Sequence, residues 1–383
     1  MSPESKKSSI PVILLKLFIG TISAIAFLCA VLILINLVVR KWPVDVNNLH
    51  IAWLLDGHHY FVPADIQTDA ANIVMRTNQE LSSLDNDTVS FTKKKKKGSF
   101  RIFCIGGSTT SGWPFHHVLS YPKLLSLYLE SVLPTRSVEV INSGLLGSDS
   151  FSDISLVEEL LTYQPDLIIL YEGRNEGWNF PLHTPFNSCL LGAYVHLARY
   201  SRLFQIIGAP HHINEFDHNK RVREFAQNFC VYNRRAMRKA LMRNLARITT
   251  MVRKNNCSII ILTQVTHSSE RNPNILITKI NEWVKEFARN NNVPVVDIDR
   301  FFCESKVPEE ELVIPINVHP NFKGYALMAR VMCRELFTMN IIAPKREWQW
   351  KNLRNDSFYF QRSGLTRAFL ENTYKRYGIR EQQ

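Results

Sequence analysis

The sequence predicts an α/β fold, a three-layer α/β/α sandwich on a five-stranded parallel sheet, preceded by one transmembrane helix. Three observations lead there. Between residues 99 and 341, five short apolar runs rich in β-branched residues alternate with segments of helical periodicity. Those runs lack the in–out alternation of a half-exposed strand, as expected of strands covered on both faces. Near the N-terminus, Leu17 to Val39 is a stretch of 23 residues without a charge, the length that a hydrocarbon layer demands.

Residues 1–9 form a short tail and residues 10–39 the expected transmembrane helix. At about 1.5 Å per residue the uncharged run reaches roughly 35 Å, enough to cross with some tilt. A cleaved signal peptide would have a shorter apolar core followed by a small-x-small site. Here Ala24-Ile25-Ala26 falls in mid-run, and the run ends in Val38-Val39-Arg40-Lys41. Lys6, Lys7 and Lys16 on one side against Arg40 and Lys41 on the other tip the expected orientation slightly toward a cytoplasmic N-terminus, with the bulk of the chain outside. Residues 40–98 carry weak periodicity and end in five lysines, Lys93 to Lys97. They are expected to be a membrane-proximal linker whose lysines are solvated or meet anionic headgroups or an acidic glycan.

The domain itself is expected over 99–341. Phe100 to Ile105 is a strand ending in the tight turn Gly106-Gly107. Tyr121 to Leu133 is helical and stops before Pro134, and Val138 to Ile141 is the next strand, ending at Asn142-Ser143-Gly144. Ser152 to Tyr163 is helical, and Pro165 separates it from the fully apolar strand Leu167 to Tyr171. A long basic amphipathic helix, Tyr232 to Lys254, precedes the strand Ser258 to Leu262. Asn274 to Asn290 is a further helix, Val293 to Ile298 the last strand, and Lys323 to Met339 the closing helix. Residues 180–230 break this rhythm and are expected to be an exposed insertion. Their His211, His212 and His218 lack carboxylate or cysteine partners at metal-ligand spacing. Residues 342–383 form a basic, aromatic C-terminal extension, expected to pack on the domain or lie along a membrane surface.

Composition narrows the function. Hydrophobic residues make up 45% of the 383, so a sizeable core is expected. The formal charge of +12 admits nucleic acid, an anionic membrane or an acidic polymer as partner. No zinc-finger, helix-turn-helix or RNA-binding signature supports nucleic acid. The seven cysteines are scattered, odd in number and without a C-x-x-C pair, so no disulfide framework is indicated.

In an open parallel sheet, ligands bind beyond the carboxyl ends of the strands. The loops there carry Gly106-Gly107-Ser108-Thr109-Thr110, Asn142-Ser143-Gly144, Gly173-Arg174-Asn175-Glu176 and, before the closing helix, Val318-His319-Pro320-Asn321. Two glycines before a serine let the backbone turn sharply and leave the hydroxyl at a helix mouth. Alone, such a turn is usually only a turn, and a lone histidine is usually structural. Serine, glycine, asparagine and histidine in this order are more telling.

These blocks, with Val140-Ile141-Asn142-Ser143-Gly144, Gln164-Pro165-Asp166-Leu167 and His319-Pro320-Asn321-Phe322-Lys323-Gly324-Tyr325, resemble the SGNH (GDSL-like) hydrolase superfamily. The branch they are most similar to is a bacterial one whose first block reads GGST. The resemblance implies a flavodoxin-like sheet and an ester hydrolase without metal or organic cofactor. Its substrate is expected to be an O-acylated carbohydrate or lipid. It implies Ser108 as nucleophile, His319 as base, and an oxyanion hole from the N–H groups of Ser108 and Gly144 with the Asn175 amide. Thr109, Arg174, Glu176 and Asn317 are candidate substrate contacts, and Trp113 and Trp178 candidates to line the pocket.

One position departs from the pattern. The acidic residue expected three places before the histidine is Ile316, which cannot accept the Nδ1 hydrogen bond. Either a backbone carbonyl or Asn317 orients His319 in a working dyad, or a carboxylate such as Glu311 or Asp149 reaches in. Otherwise the domain is a binding scaffold on a decayed fold. An acyltransferase using the same serine differs only in the acceptor.

Overall fold

The computed structural model describes residues 18–24, 26–31, 59–64, 73–78, 89–176, 234–266, 276–314 and 319–379. The chain divides into two compact units, residues 1–49 with 185–213, and residues 50–184 with 214–383. In the first, residues 18–24 and 26–31 are helical and expose Phe18, Ile19, Ile22, Phe27 and Leu28. Among the described residues no helix is long and apolar enough to cross a membrane. The remainder of the expected 10–39 span, the expected insertion over 180–230 with its three histidines, and Trp178 lie outside the described residues.

The second unit holds a sheet of five parallel strands, in chain order β4 (Phe100–Gly106), β5 (Val138–Gly144), β6 (Leu167–Tyr171), β7 (Ser258–Leu262) and β8 (Val295–Val296). Their spatial order is β5-β4-β6-β7-β8, every neighbouring pair parallel. This is the flavodoxin-like order, with its topological switch point where the chain leaves β4 for opposite sides of the sheet. Strand β6 is buried along its whole length. Its four aliphatic side chains each contribute about 1.5–3 kcal/mol on leaving water, which suits it to the sheet centre.

Helices α1 (Ser108–Ser111), α2 (Tyr121–Val132), α3 (Ser150–Leu161), α4 (Arg234–Lys254), α5 (Leu276–Asn290), α6 (Ile298–Glu304) and α7 (Phe322–Thr338) follow in chain order. On one face of the sheet α2 packs against α7, over Ile102, Cys104, Ile169 and Ile260. The alternate residues Phe103, Ile105, Ile168 and Ile259 are equally buried, toward the face where α4 packs on α3 and α5. The last strand is two residues rather than the expected six. Pro294 offers no N–H to a ladder, and Asp297 caps α6 by accepting the Arg300 N–H at 3.4 Å.

Residues 59–98 are not a bare linker. Their described parts form an antiparallel sheet of β1 (Phe61–Pro63), β2 (Val74–Thr77) and β3 (Ser90–Thr92). Phe61 and Phe91 meet edge-on at 4.8 Å and pack with Phe103 and Tyr163 of the domain. Arg101, inside an otherwise apolar strand, is fully buried because it binds this meander to the domain. It donates to Thr92 O at 2.9 Å, Lys93 O at 3.2 Å and Tyr163 O at 2.8 Å, and pairs with Glu139 at 2.6 Å. Lys95 pairs with Asp166 at 2.7 Å, so the lysine run is partly structural.

The C-terminal extension also packs on the domain, through α8 (Asp356–Ser363) and α9 (Arg367–Arg376). The Gln349 N–H donates to Val132 O at 2.7 Å, and the buried Tyr359 ring meets Tyr128 edge-on at 4.4 Å.

Replacing Arg101 with Met should lower unfolding free energy by about 3 kcal/mol, since three carbonyls and a carboxylate lose their buried donor. Urea denaturation followed by circular dichroism measures it; a change under about 1 kcal/mol would mean that the guanidinium is not the tie between sheet and meander.

Candidate active site

The turn after β4 exists because its glycines admit contacts that a side chain forbids. A Cβ at Gly106, whose φ is 149°, would lie 2.2 Å from Tyr171 O, and one at Gly107 2.7 Å from Asn175 Nδ2. Ser108 is thereby the first residue of α1, half-buried, with its N–H among those that lack an intrahelical acceptor.

His319 is held by the backbone that precedes α7. The Ile314 N–H donates to His319 O at 2.9 Å, and Val313 bridges Pro320. Asn321 caps α7, its Oδ1 accepting the N–H groups of Lys323 at 2.9 Å and Gly324 at 3.1 Å. Gly324 is required there, since a Cβ would lie 2.1 Å from Leu312 O. The result is a hydrogen bond of 2.6 Å between Ser108 Oγ and His319 Nε2. Burial, and the Arg174 guanidinium, push the His319 imidazole down to about 3. It is neutral near pH 7 and therefore a proton acceptor.

Beside this pair stands Asn175, half-buried, its Nδ2 donating to Ser148 O at 2.7 Å. That bond uses one amide hydrogen and leaves a second. Gly144, expected to offer its N–H, does not. Strand β5 runs on through it, its N–H donates to Asn142 Oδ1 at 2.9 Å, and its Cα presses on α1, where a Cβ would lie 2.1 Å from Ser111 N. The segment of this loop that borders the nucleophile turn comes later: Ser148 O lies 3.7 Å from where a Cβ on Gly107 would sit. Gly147 precedes it in left-handed conformation, φ 73°. The spacing of glycines at 144 and 147 was the available signal for this second turn.

Glu176, a candidate substrate contact, has a bracing role in the structure. It is buried, and its Oε1 accepts the Ser150 N–H at 2.7 Å, tying the Asn175 turn to the start of α3. Around it lie three more buried carboxyl groups. Asp153 accepts from Ser148 Oγ at 2.6 Å, Glu172 from the Gly173 N–H at 2.8 Å, and Asp149 from the Ser152 N–H at 3.0 Å. Burial, then mutual repulsion, pushes Asp153 and Glu172 well above the usual carboxylate range, and Glu176 up to about 8. Of the other expected contacts, Thr109 is buried in α1, and half-buried Arg174 donates to Val265 O at 2.5 Å while its charge acts on His319. Asn317 and Ile316 lie outside the described residues. Glu311, weighed as a replacement acid, pairs with Lys323 at 2.7 Å, and Asp149 is committed to the α3 cap. Among the described residues no group of three or more His, Cys, Asp or Glu is arranged to hold a metal ion. Trp113, a candidate pocket wall, lies against His319, ring centroids 4.6 Å apart.

A carboxyl whose folded pKa is raised contributes stability that is full below its ordinary value and lost as pH rises through the folded one. For Glu176 that window runs from 4.5 to about 8. Glu176→Gln keeps the acceptor for Ser150 and should flatten the stability loss across that window, by up to about 1.4 kcal/mol per pH unit. Thermal melting of both proteins at several pH values measures it; parallel curves would mean that Glu176 does not carry the buried proton.

No curated protein matches the chain in sequence at a significant level. Solved structures with related topology include an acetylxylan esterase from Geobacillus stearothermophilus, 18% identical, over 63% of this chain and 96% of that one, TM-score 0.43. Another is a protein of the G-D-S-L lipolytic family from Desulfitobacterium hafniense DCB-2, 15% identical, over 62% of this chain and 99% of that one, TM-score 0.40. The sequence model of the GDSL-like Lipase/Acylhydrolase family matches residues 104–327, more than half of the chain, and takes in both Ser108 and His319. The chain belongs to the GDSL-like lipase/acylhydrolase family.

Proposed function

We propose that the chain is a membrane-anchored serine ester hydrolase that removes acyl groups from an O-acylated carbohydrate or lipid. The observation that carries the reading is the 2.6 Å hydrogen bond between Ser108 Oγ and a neutral His319. Ser108 Oγ bonds to the ester carbonyl carbon while its proton passes to His319 Nε2. The carbonyl electrons move onto oxygen, where the Ser108 N–H and the Asn175 amide stabilise them. Collapse expels the alcohol, which takes the proton from His319, and water then repeats the sequence to release the acid. An acyltransferase would replace that water with a sugar hydroxyl.

Anchoring is part of the proposal. Its support is the 23-residue uncharged run from Leu17 to Val39, and the exposure of Phe18, Ile19, Ile22, Phe27 and Leu28, which lipid would cover. The lysine asymmetry around the run supports a cytoplasmic N-terminus with the hydrolase domain outside.

A fluorophosphonate probe should label wild-type protein at Ser108, label His319→Ala far more slowly, and not label Ser108→Ala. On p-nitrophenyl acetate, Asn175→Ala should lower kcat by about 10²–10³. Absence of labelling in the wild type would leave the binding-scaffold alternative. For the anchor, the full chain should stay with carbonate-washed membranes, and a chain lacking residues 1–41 should not; recovery of the full chain in the supernatant overturns anchoring.

A further inference from the structure

A Ser–His pair that moves a proton must hold the imidazole in one orientation and tolerate its positive charge once the serine proton arrives. In a triad a carboxylate does both. Here the residue three places before His319 is Ile316, and Arg174 approaches from the loop after β6 with a charge that opposes the imidazolium. Among the described residues, an aromatic ring lies against the imidazole. The Trp113 and His319 ring centroids are 4.6 Å apart, their planes inclined by 46°. An aromatic face within about 6 Å attracts a cation and adds contact area that restrains a ring's rotation.

Trp113 is itself fixed at several points. Its N–H donates to the carbonyl of Ser108 at 2.9 Å, and its own carbonyl accepts Tyr325 Oη–H from α7 at 2.7 Å. Tyr377 also packs against it, ring centroid 5.3 Å away and edge-on, with its Oη 3.1 Å from His116 Nε2. Tyr377 belongs to a packed turn. Its N–H donates to Thr373 O at 3.1 Å, the Ile379 N–H donates to Tyr374 O at 2.8 Å, and both Thr373 and Ile379 are buried.

We propose that Trp113, braced by Tyr377 of the C-terminal segment, positions the His319 imidazole on Ser108 and favours the imidazolium that forms when the serine is deprotonated. The inference rests on the hydrolase reading of Ser108 and His319. It makes Trp113 a positioning residue and gives the C-terminal extension a part in the chemistry.

The test uses the full chain with p-nitrophenyl acetate as probe. Trp113→Leu keeps apolar bulk without a π face and should lower kcat by about 10-fold, with KM within about 2-fold. Trp113→Phe should restore most of that loss, and Tyr377→Leu should lower kcat several-fold. Crystal structures of the three variants should show the imidazole turned away from Ser108 in Trp113→Leu and retained in Trp113→Phe. The proposal is overturned if Trp113→Leu keeps its kcat, if Phe is no better than Leu, or if the imidazole stays on Ser108 in Trp113→Leu. Should Trp113→Leu not fold, Tyr377→Leu decides, and an unchanged kcat overturns the proposal. Should the wild type show no turnover or labelling that depends on Ser108, the hydrolase reading fails by itself, and the imidazole position in the variant structures judges the positioning role.

Discussion

The hydrogen bond between Ser108 and His319 joins two turns 211 positions apart in the chain, and most of the architecture can be understood as what makes that meeting possible. A parallel sheet delivers all its strand ends to one edge, so turns far apart in sequence converge without any contact specific to the pair. Two glycines let the serine turn pass Tyr171 and Asn175 at distances that a side chain would block. The histidine comes from outside the strands and needs its own support, which the bridge between 312–314 and 319–321 supplies. A site of this kind is only as well placed as the two backbone devices that hold its halves.

The electrostatics around those turns divide into two neighbourhoods. Under the Asn175 turn, four buried carboxyl groups accept from Ser148, Ser150, Ser152 and Gly173. Burial keeps several of them protonated, so they act as hydrogen-bonding braces more than as charges. Around His319 the opposite holds: burial and one guanidinium disfavour the cation. A neutral imidazole and largely neutral carboxyls leave the Arg174 guanidinium as the charge that acts on His319 before a substrate arrives.

The sheet was legible because uninterrupted apolar strands flanked by Gly and Pro have few alternative readings, and β6 and β7 fall where their composition puts them. Boundaries were harder. Strand β5 extends through Gly144, because its pairing with Gly106 depends on a neighbour and not on local propensity. That extension commits the amide which the motif order had suggested for the site. The β1–β3 meander escaped notice since its strands are three or four residues long and are stabilised by rings and a guanidinium from the domain. Glu176 was a candidate substrate contact because it follows Asn175 in the same block; the buried Ser150 N–H that it accepts is visible only in three dimensions. The pairing of Ser108 with His319 was readable from motif order, and Trp113 was a candidate for the pocket, while its contact with Tyr377 was not readable, since 264 positions separate the two and neither belongs to a block.

The family match ends at residue 327 and begins at 104, yet Tyr60 donates its hydroxyl to Gly144 O at 2.9 Å from well before that span, and its N–H meets Glu159 at 2.6 Å. At the far end, Trp348 and Tyr359 fill the same core as α2 and α7. The stretch that the family model matches is therefore smaller than the packed body that contains it, and a boundary drawn at its ends would cut through the interior.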